Sequence, residues 1–173
     1  MLERDEQDPF DRSPDRLEPR ELLDGVEKLR DNLAGGYTPA WRGAEKQGDG
    51  VIALGFPTYP RWLWNGIWCG IYLTEFLGVD WQRYRDDFRF ITEREAESFD
   101  LEQLATWFVV FGNLERMAEG LIGEGAEDGT VYLIARKLHD VITSDRRMMS
   151  AIAGSDWTAE RQRRAERSYR EQD

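Results

Sequence analysis

The most apolar stretch of the chain runs from Trp62 to Leu77, and it limits the folds that this sequence can adopt. The stretch is 16 residues long and contains Asn65, Thr74 and Glu75. It falls short of the roughly 20 apolar residues that span a bilayer, so we expect no transmembrane helix.

The same stretch has helical spacing. We expect a helix that begins after Pro60 and places Trp64, Trp68 and Tyr72 on one face. Such a row could form a stacking platform for bases or a sugar. Aromatic residues at helical spacing more often belong to a core because each buries a large area, and we favour the core. Gly66 and Gly70 in this helix allow close approach of a neighbour.

A second helix is predicted from Pro19 to about residue 34. Proline suits the first turn of a helix, and Gly35 and Gly36 mark its end. The apolar residues of this helix form one narrow stripe: Leu22, Val26, Leu29 and Leu33. A narrow stripe suits either the surface of the same domain or a second chain, and we favour the same domain.

Three helices are predicted in the second half of the domain. The first begins at Asp100, where Gln103 occupies the capping-box position, and stops near Gly112. A short amphipathic helix is expected over residues 114–121, followed by a glycine-rich loop over 123–129. The third begins at Thr130 or Asp128 and ends near Ser144.

These patterns predict a mainly α fold: a compact helical domain of about five helices, with at most one short strand over 51–56, an extended N-terminal arm and a C-terminal helix. The predicted divisions are an acidic arm (1–16), the first helix with a glycine-rich connection (17–50), a helical core domain (51–154) and an Arg-rich C-terminal helix (155–173). Net charge divides the chain into three parts: residues 1–50 have a net charge of −5, residues 51–154 of −6, and residues 155–173 of zero.

Charge and rare residues exclude several classes of protein. The 34 acidic residues outnumber 23 basic ones, for a net charge of −11. This charge disfavours a protein that binds nucleic acid or anionic membranes over its whole surface. Only three of the basic residues are lysines, a balance that favours an extreme halophile or its virus over the alternative, a GC-rich genome. With Cys69 and His139 as the lone residues of their types, we expect neither a disulfide framework nor a zinc site.

No catalytic constellation stands out, and we expect no catalytic residue, cofactor or metal site. The nucleophile elbow, the P-loop, the dinucleotide fingerprint and the zinc-protease motif do not occur. His139 is expected at the surface rather than in a triad. Two carboxylate groups lack EF-hand spacing and are expected to be solvated: Glu93, Glu95, Glu97, Asp100 and Glu102, and Glu124, Glu127 and Asp128.

The N-terminus shows neither an apolar signal-peptide core nor a cleavage site, and we expect a cytoplasmic or virion location. The middle of the chain resembles a family of small bacterial and archaeal proteins that carries only a domain-of-unknown-function label. The resemblance rests on FPTYPRWLWNGIWCGIYLTEFLGVDW, DLEQLATWFVV, LERMAEG and EDGTVYLIARKL, which fall between residues 56 and 138, about half of the chain. It implies no activity, cofactor or catalytic residue.

The leading hypothesis is a non-enzymatic interaction or assembly protein whose terminal arms contact neighbouring subunits, such as a connector component of a halophile tailed virus. The partners would be other protein subunits, in a homo- or hetero-oligomer, and no membrane. The candidate interaction residues are Phe10, Leu22, Val26, Leu29, Trp157, Arg161, Arg164, Arg167 and Tyr169. The alternatives are a nucleic-acid-associated regulator that uses the Arg-rich C-terminal helix and, ranked last, a carboxylate-metal-dependent hydrolase.

Overall fold

The computed structural model describes residues 13–42, 45–46, 52–53, 56–79, 93–115 and 120–154, and within them the fold is mainly helical, as predicted. The described helices are α1 (Pro19–Leu33), α2 (Arg61–Phe76), α3 (Glu93–Glu97), α4 (Leu101–Leu114), α5 (Leu121–Glu127), α6 (Thr130–Ser144) and α7 (Arg146–Ala153). In this part of the chain no helix has both the length and the apolar character needed to cross a membrane.

Helix α1 is part of the core. Its first turn is stabilised by a reciprocal capping box in which Glu18 and Glu21 each bind the backbone of the other. The predicted stripe is buried against α2 and α6. Its four residues have at most 4% of their surface exposed: Leu22, Val26, Leu29 and Leu33. The first helix and the 51–154 segment therefore share one hydrophobic core.

Helix α2 runs through the middle of the fold, between α1 and α4. Leu63, Ile67 and Leu73 on its inner face are fully buried. Gly66 lies against Leu29 of α1, and Gly70 lies against the ring of Phe108 in α4. The close approach predicted for the glycine face of this helix is therefore confirmed.

Helices α4 and α6 complete the core. Asp100 caps α4 through a 2.8 Å hydrogen bond from the backbone N–H of Gln103, whose side chain accepts from the Asp100 backbone N–H. Helix α6 buries the apolar face predicted for it and packs on α1, α4 and α5. Both helices begin and end close to the residues expected from the sequence.

The structure differs from the sequence-based expectation in the glycine-rich stretch that follows α4. Residues 123–127, expected in a loop, belong to helix α5. A Cβ added to Gly125 would lie 2.6 Å from the Phe111 ring, and one added to Gly123 would lie 3.1 Å from the Tyr59 ring. These glycines serve close helix packing rather than a loop. The helix predicted over 114–121 is not seen as one element. Leu114 is the last residue of α4, and Leu121 is the first residue of α5. Residues 116–119 lie outside the described residues.

Helix α7 was not predicted. The carboxylate of Asp145 accepts from the backbone N–H groups of Arg147 and Met148, at 2.7 and 3.2 Å, and so starts a new helix directly after α6. Ile152 is the buried residue of this helix. A helix of eight residues spans little more than two turns, too short for a clear apolar periodicity.

The structure has more strands than the one expected over 51–56. Two antiparallel pairs are described: β1 (Ala40–Arg42) with β4 (Phe56–Thr58), and β2 (Glu45–Lys46) with β3 (Ile52–Ala53). Each strand has only two or three residues. Segments this short show no alternation of polar and apolar residues, so their pairing could not be predicted from the local pattern.

The predicted N-terminal arm also needs a correction at its inner end. Residues Pro14–Arg16 form a 3-10 turn that packs on α2. Pro14 is buried, and Leu17 is 1% exposed. These two apolar residues offset the cost of ordering the backbone of this turn. Residues 14–16 therefore pack with the helical domain, although they were assigned to the arm.

Candidate functional site

The aromatic row of α2 lies at the edge of the core. Trp64, Trp68 and Tyr72 follow one another at four-residue intervals, and their ring centroids are 6.2 and 5.8 Å apart. All three residues are half-buried, and Trp64 and Tyr72 pack against the core from outside. The row was expected in the core, yet the fully buried face of α2 is the one that carries Leu63, Ile67 and Leu73.

A groove runs along this row. Its volume is about 330 Å³, and it is lined by Ser13, Pro14, Arg61, Trp64, Asn65, Trp68 and Tyr72, which together we call the aromatic groove. Asn65 is 8% exposed, so a polar side chain is buried in its lining. Aromatic surface combined with a few polar groups is typical of binding sites.

Part of the groove lining comes from the segment that precedes α1, at Ser13 and Pro14. Ser13 has φ −65° and ψ 133°, the polyproline II region, and leads into the 3-10 turn. The buried ring of Pro14 lies in the groove lining together with the aromatic rings of α2. The lining of the groove therefore already includes a proline that follows an extended residue.

One end of the groove is positively charged. Arg61 is exposed and is the first residue of α2, whose first turn contains no acidic residue. The N-terminus of a helix carries a partial positive charge that adds to that of the guanidinium.

A second polar cluster joins the start of α5 to the segment before α2. Glu115 is 7% exposed, and its carboxylate accepts from the Tyr59 hydroxyl at 2.8 Å and from the backbone N–H groups of Gly120 and Ile122 at 2.9 and 2.7 Å. The Tyr59 oxygen accepts in turn from the Gly123 N–H. Burial, and then the hydrogen bond to Glu115, raise the pKa of Tyr59. This cluster stabilises the fold by satisfying backbone donors.

His139 is not the surface residue that we expected from the sequence. Its side chain is 14% exposed and lies between α6 and α1, where Nδ1 is 2.9 Å from Arg30 Nη1. A guanidinium only donates hydrogen bonds, so Nδ1 is the acceptor. Glu27 completes the contact, with its Oε1 at 3.2 Å from Arg30 Nη2 and 3.8 Å from His139 Nε2. The arrangement holds two helices together and is no nucleophile–base pair.

The predicted carboxylate groups are used as caps and in ion pairs. Glu97 pairs with Arg136 and with Lys137, the latter at 3.5 Å. Asp100 caps α4, and Asp128 accepts from the Thr130 backbone N–H at 2.8 Å. Among the described residues, no three His, Cys, Asp or Glu side chains cluster closely enough to hold a metal ion.

The predicted interaction residues fall into two sets. Leu22, Val26 and Leu29 are 0% exposed in the core, because the stripe of α1 closes on its own domain. The others lie outside the described residues, and their roles stay predictions: Phe10, Trp157, Arg161, Arg164, Arg167 and Tyr169.

Comparisons with protein-family models, with curated proteins and with solved structures found no match. The resemblance to a family of unknown function therefore stays a prediction.

Sequence reasoning did not identify Ser13, Pro14, Arg61 or Asn65 as part of a site. A signal was present: the aromatic row of α2 repeats every four residues, while a separate face of the same helix carries aliphatic residues. A helix with two distinct apolar faces can bury one and offer the other to a partner.

Proposed function

We propose that this protein is a non-enzymatic interaction or assembly module that uses the aromatic groove as a binding surface for a protein partner. The observation that carries the proposal is the half-buried row of Trp64, Trp68 and Tyr72 beside Arg61. Tryptophan, tyrosine and arginine are the residues most enriched among those that dominate binding energy at protein interfaces.

The shape of the groove also supports a protein partner. Its lining follows α2 from Arg61 to Tyr72 and also includes Ser13, whose backbone is extended. Extended proline-containing peptides dock in grooves lined with aromatic residues. The groove lining already includes one buried proline, Pro14.

The charge of the molecule suits assembly in concentrated salt. Many of its carboxylates are exposed, among them Asp31 and Asp140 at 61% and Glu97 at 54%. At 1 M salt, charges are screened within about 3 Å, so neighbouring acidic copies repel one another little. We therefore propose a role in a halophilic setting, such as a structural or connector component of a tailed virus, with aromatic contacts that do not depend on low salt.

The test is the native mass of the full chain, measured by size-exclusion chromatography with light scattering at low salt and in several molar KCl. We expect a defined oligomer in high salt that Trp68→Ala disrupts. The matched control is Tyr132→Ala, which removes a half-buried aromatic residue from α6, away from the groove. A monomer at every salt concentration, or equal loss of assembly in the two variants, would contradict the proposal.

A further inference from the structure

We propose that a cavity between α4, α5 and the start of α6 binds a small alkylamine in its protonated form. The cavity shares no lining residue with the aromatic groove, so this inference does not depend on the proposed function. It is supported by the apolar rings that line the cavity, by a buried hydroxyl group that has no hydrogen bond within the described residues, and by two carboxylates at its solvent side.

Much of the cavity lining is apolar. Seven residues form this lining, which we call the α5 cavity: Trp107, Phe111, Leu121, Glu124, Gly125, Asp128 and Thr130. The ring centroids of Trp107 and Phe111 are 5.8 Å apart, and these residues are 8% and 3% exposed. Ring surface of this kind suits the hydrocarbon part of a ligand.

The size of the cavity limits the ligand. Its volume is about 60 Å³. By the same measure one water molecule needs about 10–15 Å³, so the cavity has room for about four to six groups of that size. A short alkylamine such as n-butylamine has these dimensions. Drug-sized ligands occupy larger pockets, of about 300–1,000 Å³.

Thr130 places an unsatisfied polar group in the lining. It is 5% exposed, and its backbone N–H donates to Asp128 Oδ1 at 2.8 Å. Its hydroxyl forms no hydrogen bond within the described part of the chain. Buried polar groups in folded proteins nearly always have a hydrogen-bond partner, and leaving one without a partner costs free energy. A ligand that donates a hydrogen bond to Thr130 Oγ1 removes that cost.

Two carboxylates determine the charge of the ligand. Glu124 and Asp128 are the exposed members of the lining, so they lie at its solvent side. They are four residues apart at the end of α5, a spacing at which like charges destabilise a helix. Within the described ranges neither carboxylate forms an ion pair. A cation bound beside them relieves their repulsion.

A protonated alkylamine combines these requirements. Its ammonium group has three N–H donors, which match the Thr130 hydroxyl and the carboxylates of Glu124 and Asp128. The hydrogen bond between Thr130 and Asp128 keeps two of these acceptors close together. The hydrocarbon tail then lies against the rings of α4. A quaternary ammonium ion lacks N–H donors and would leave the hydroxyl unsatisfied.

The same geometry favours a free amine over a lysine side chain of another protein. A lysine side chain enters a cavity with its ammonium group first, because its other end is attached to the backbone outside. That direction would place the charge among the rings and away from the exposed carboxylates. A free amine enters with its tail first and leaves the ammonium group at the solvent side.

An NMR titration of the full chain with n-butylammonium chloride, at constant ionic strength, tests the inference. We expect saturable shifts of the Gly125 and Thr130 amide signals. Neutral n-butanol should bind about tenfold more weakly or not at all, because it lacks the charged donor. Thr130→Val and Glu124→Gln should each weaken n-butylammonium binding by roughly three- to tenfold. Valine has the shape of threonine, so we expect the first variant to fold.

Glu127→Gln is the matched control, because it removes an exposed carboxylate of the same helix that does not line the cavity. Its affinity for n-butylammonium should equal that of the parent. The inference is wrong if n-butylammonium produces no saturable shift, if n-butanol binds equally well, or if Glu127→Gln weakens binding as much as Glu124→Gln does. Tighter binding of N-acetyl-lysine methylamide than of n-butylammonium would refute the assignment of a free amine. Should Thr130→Val fail to fold, the comparison of Glu124→Gln with Glu127→Gln decides alone.

Discussion

Cys69 shows how burial sets the chemistry of a single residue. It lies on α2 with no exposed surface, and burial raises the pKa of its thiol to about 12. The thiolate is the reactive form, so an inaccessible thiol with a high pKa is inert. We expect no reaction with a thiol reagent such as dithionitrobenzoate at neutral pH until the chain unfolds, and full reaction in urea. Rapid labelling of the folded protein would show that α2 opens locally.

Tyr59 is the residue whose titration we expect to influence stability. Burial and the hydrogen bond to Glu115 raise its pKa above the ordinary value of 10.0, so the folded state retains the hydroxyl proton longer than the unfolded state. The resulting stability is complete below pH 10 and is lost as the pH rises above it.

Tyr59→Phe should therefore lower the free energy of unfolding at neutral pH, by about 1–3 kcal/mol, because Glu115 and the Gly123 N–H lose a partner. The variant should also lose less stability between neutral pH and pH values above 10 than the parent does. Urea denaturation across this range measures both effects. Tyr132→Phe is the control, and if it had the same effects, the role assigned to the Tyr59–Glu115 contact would be refuted.

Helix α2 packs closely against its neighbours at its glycines. A methyl group added at Gly70 would overlap the ring of Phe108, which is fully buried in α4. A methyl group added at Gly112 would come within 2.5 Å of Ile71 Cδ1, the end of a flexible, half-buried side chain. The two glycines thus offer the same substitution with different neighbours.

We expect Gly70→Ala to lower the free energy of unfolding by about 1–3 kcal/mol, the usual cost of overpacking. Gly112→Ala should be close to neutral, because Ile71 can move and alanine favours the helix by up to about 1 kcal/mol. Denaturation midpoints of the two variants provide the comparison. Equal midpoints would mean that α2 and α4 shift apart at little cost.

The elements also differ in how well the sequence predicted them. Helices α1, α4 and α6 have long apolar periods and strong start signals, such as the capping box at Asp100, so their bounds followed from local sequence. Helix α5 was missed because Gly123 and Gly125 resemble a loop until Tyr59 and Phe111 are placed against them. One strand was expected over 51–56, where β3 and the start of β4 lie, but the pairing of the four strands was missed because each depends on a partner elsewhere in the chain.

At the scale of the whole molecule, the net charge of −11 predicts how stability depends on salt. Repulsion among the surplus carboxylates destabilises the compact state, and salt screens it. We expect the thermal unfolding temperature to rise from low salt to several molar KCl. The double variant Glu124→Gln with Glu127→Gln, which removes two exposed carboxylates of α5, should show a smaller rise. A fall in unfolding temperature with KCl would contradict this prediction.

The sequence by itself determined the mainly helical fold, the bounds of its long helices and the acidic surface, because periodicity, helix caps and charge are local or additive properties. Only the tertiary structure decided which face of α2 lies outside the core and that Pro14 lines the groove along it. The same holds for pairs such as Tyr59 with Glu115, 56 residues apart, and Arg30 with His139, 109 residues apart. Such contacts depend on how helices pack, and a linear pattern carries no record of which distant residue will be the neighbour.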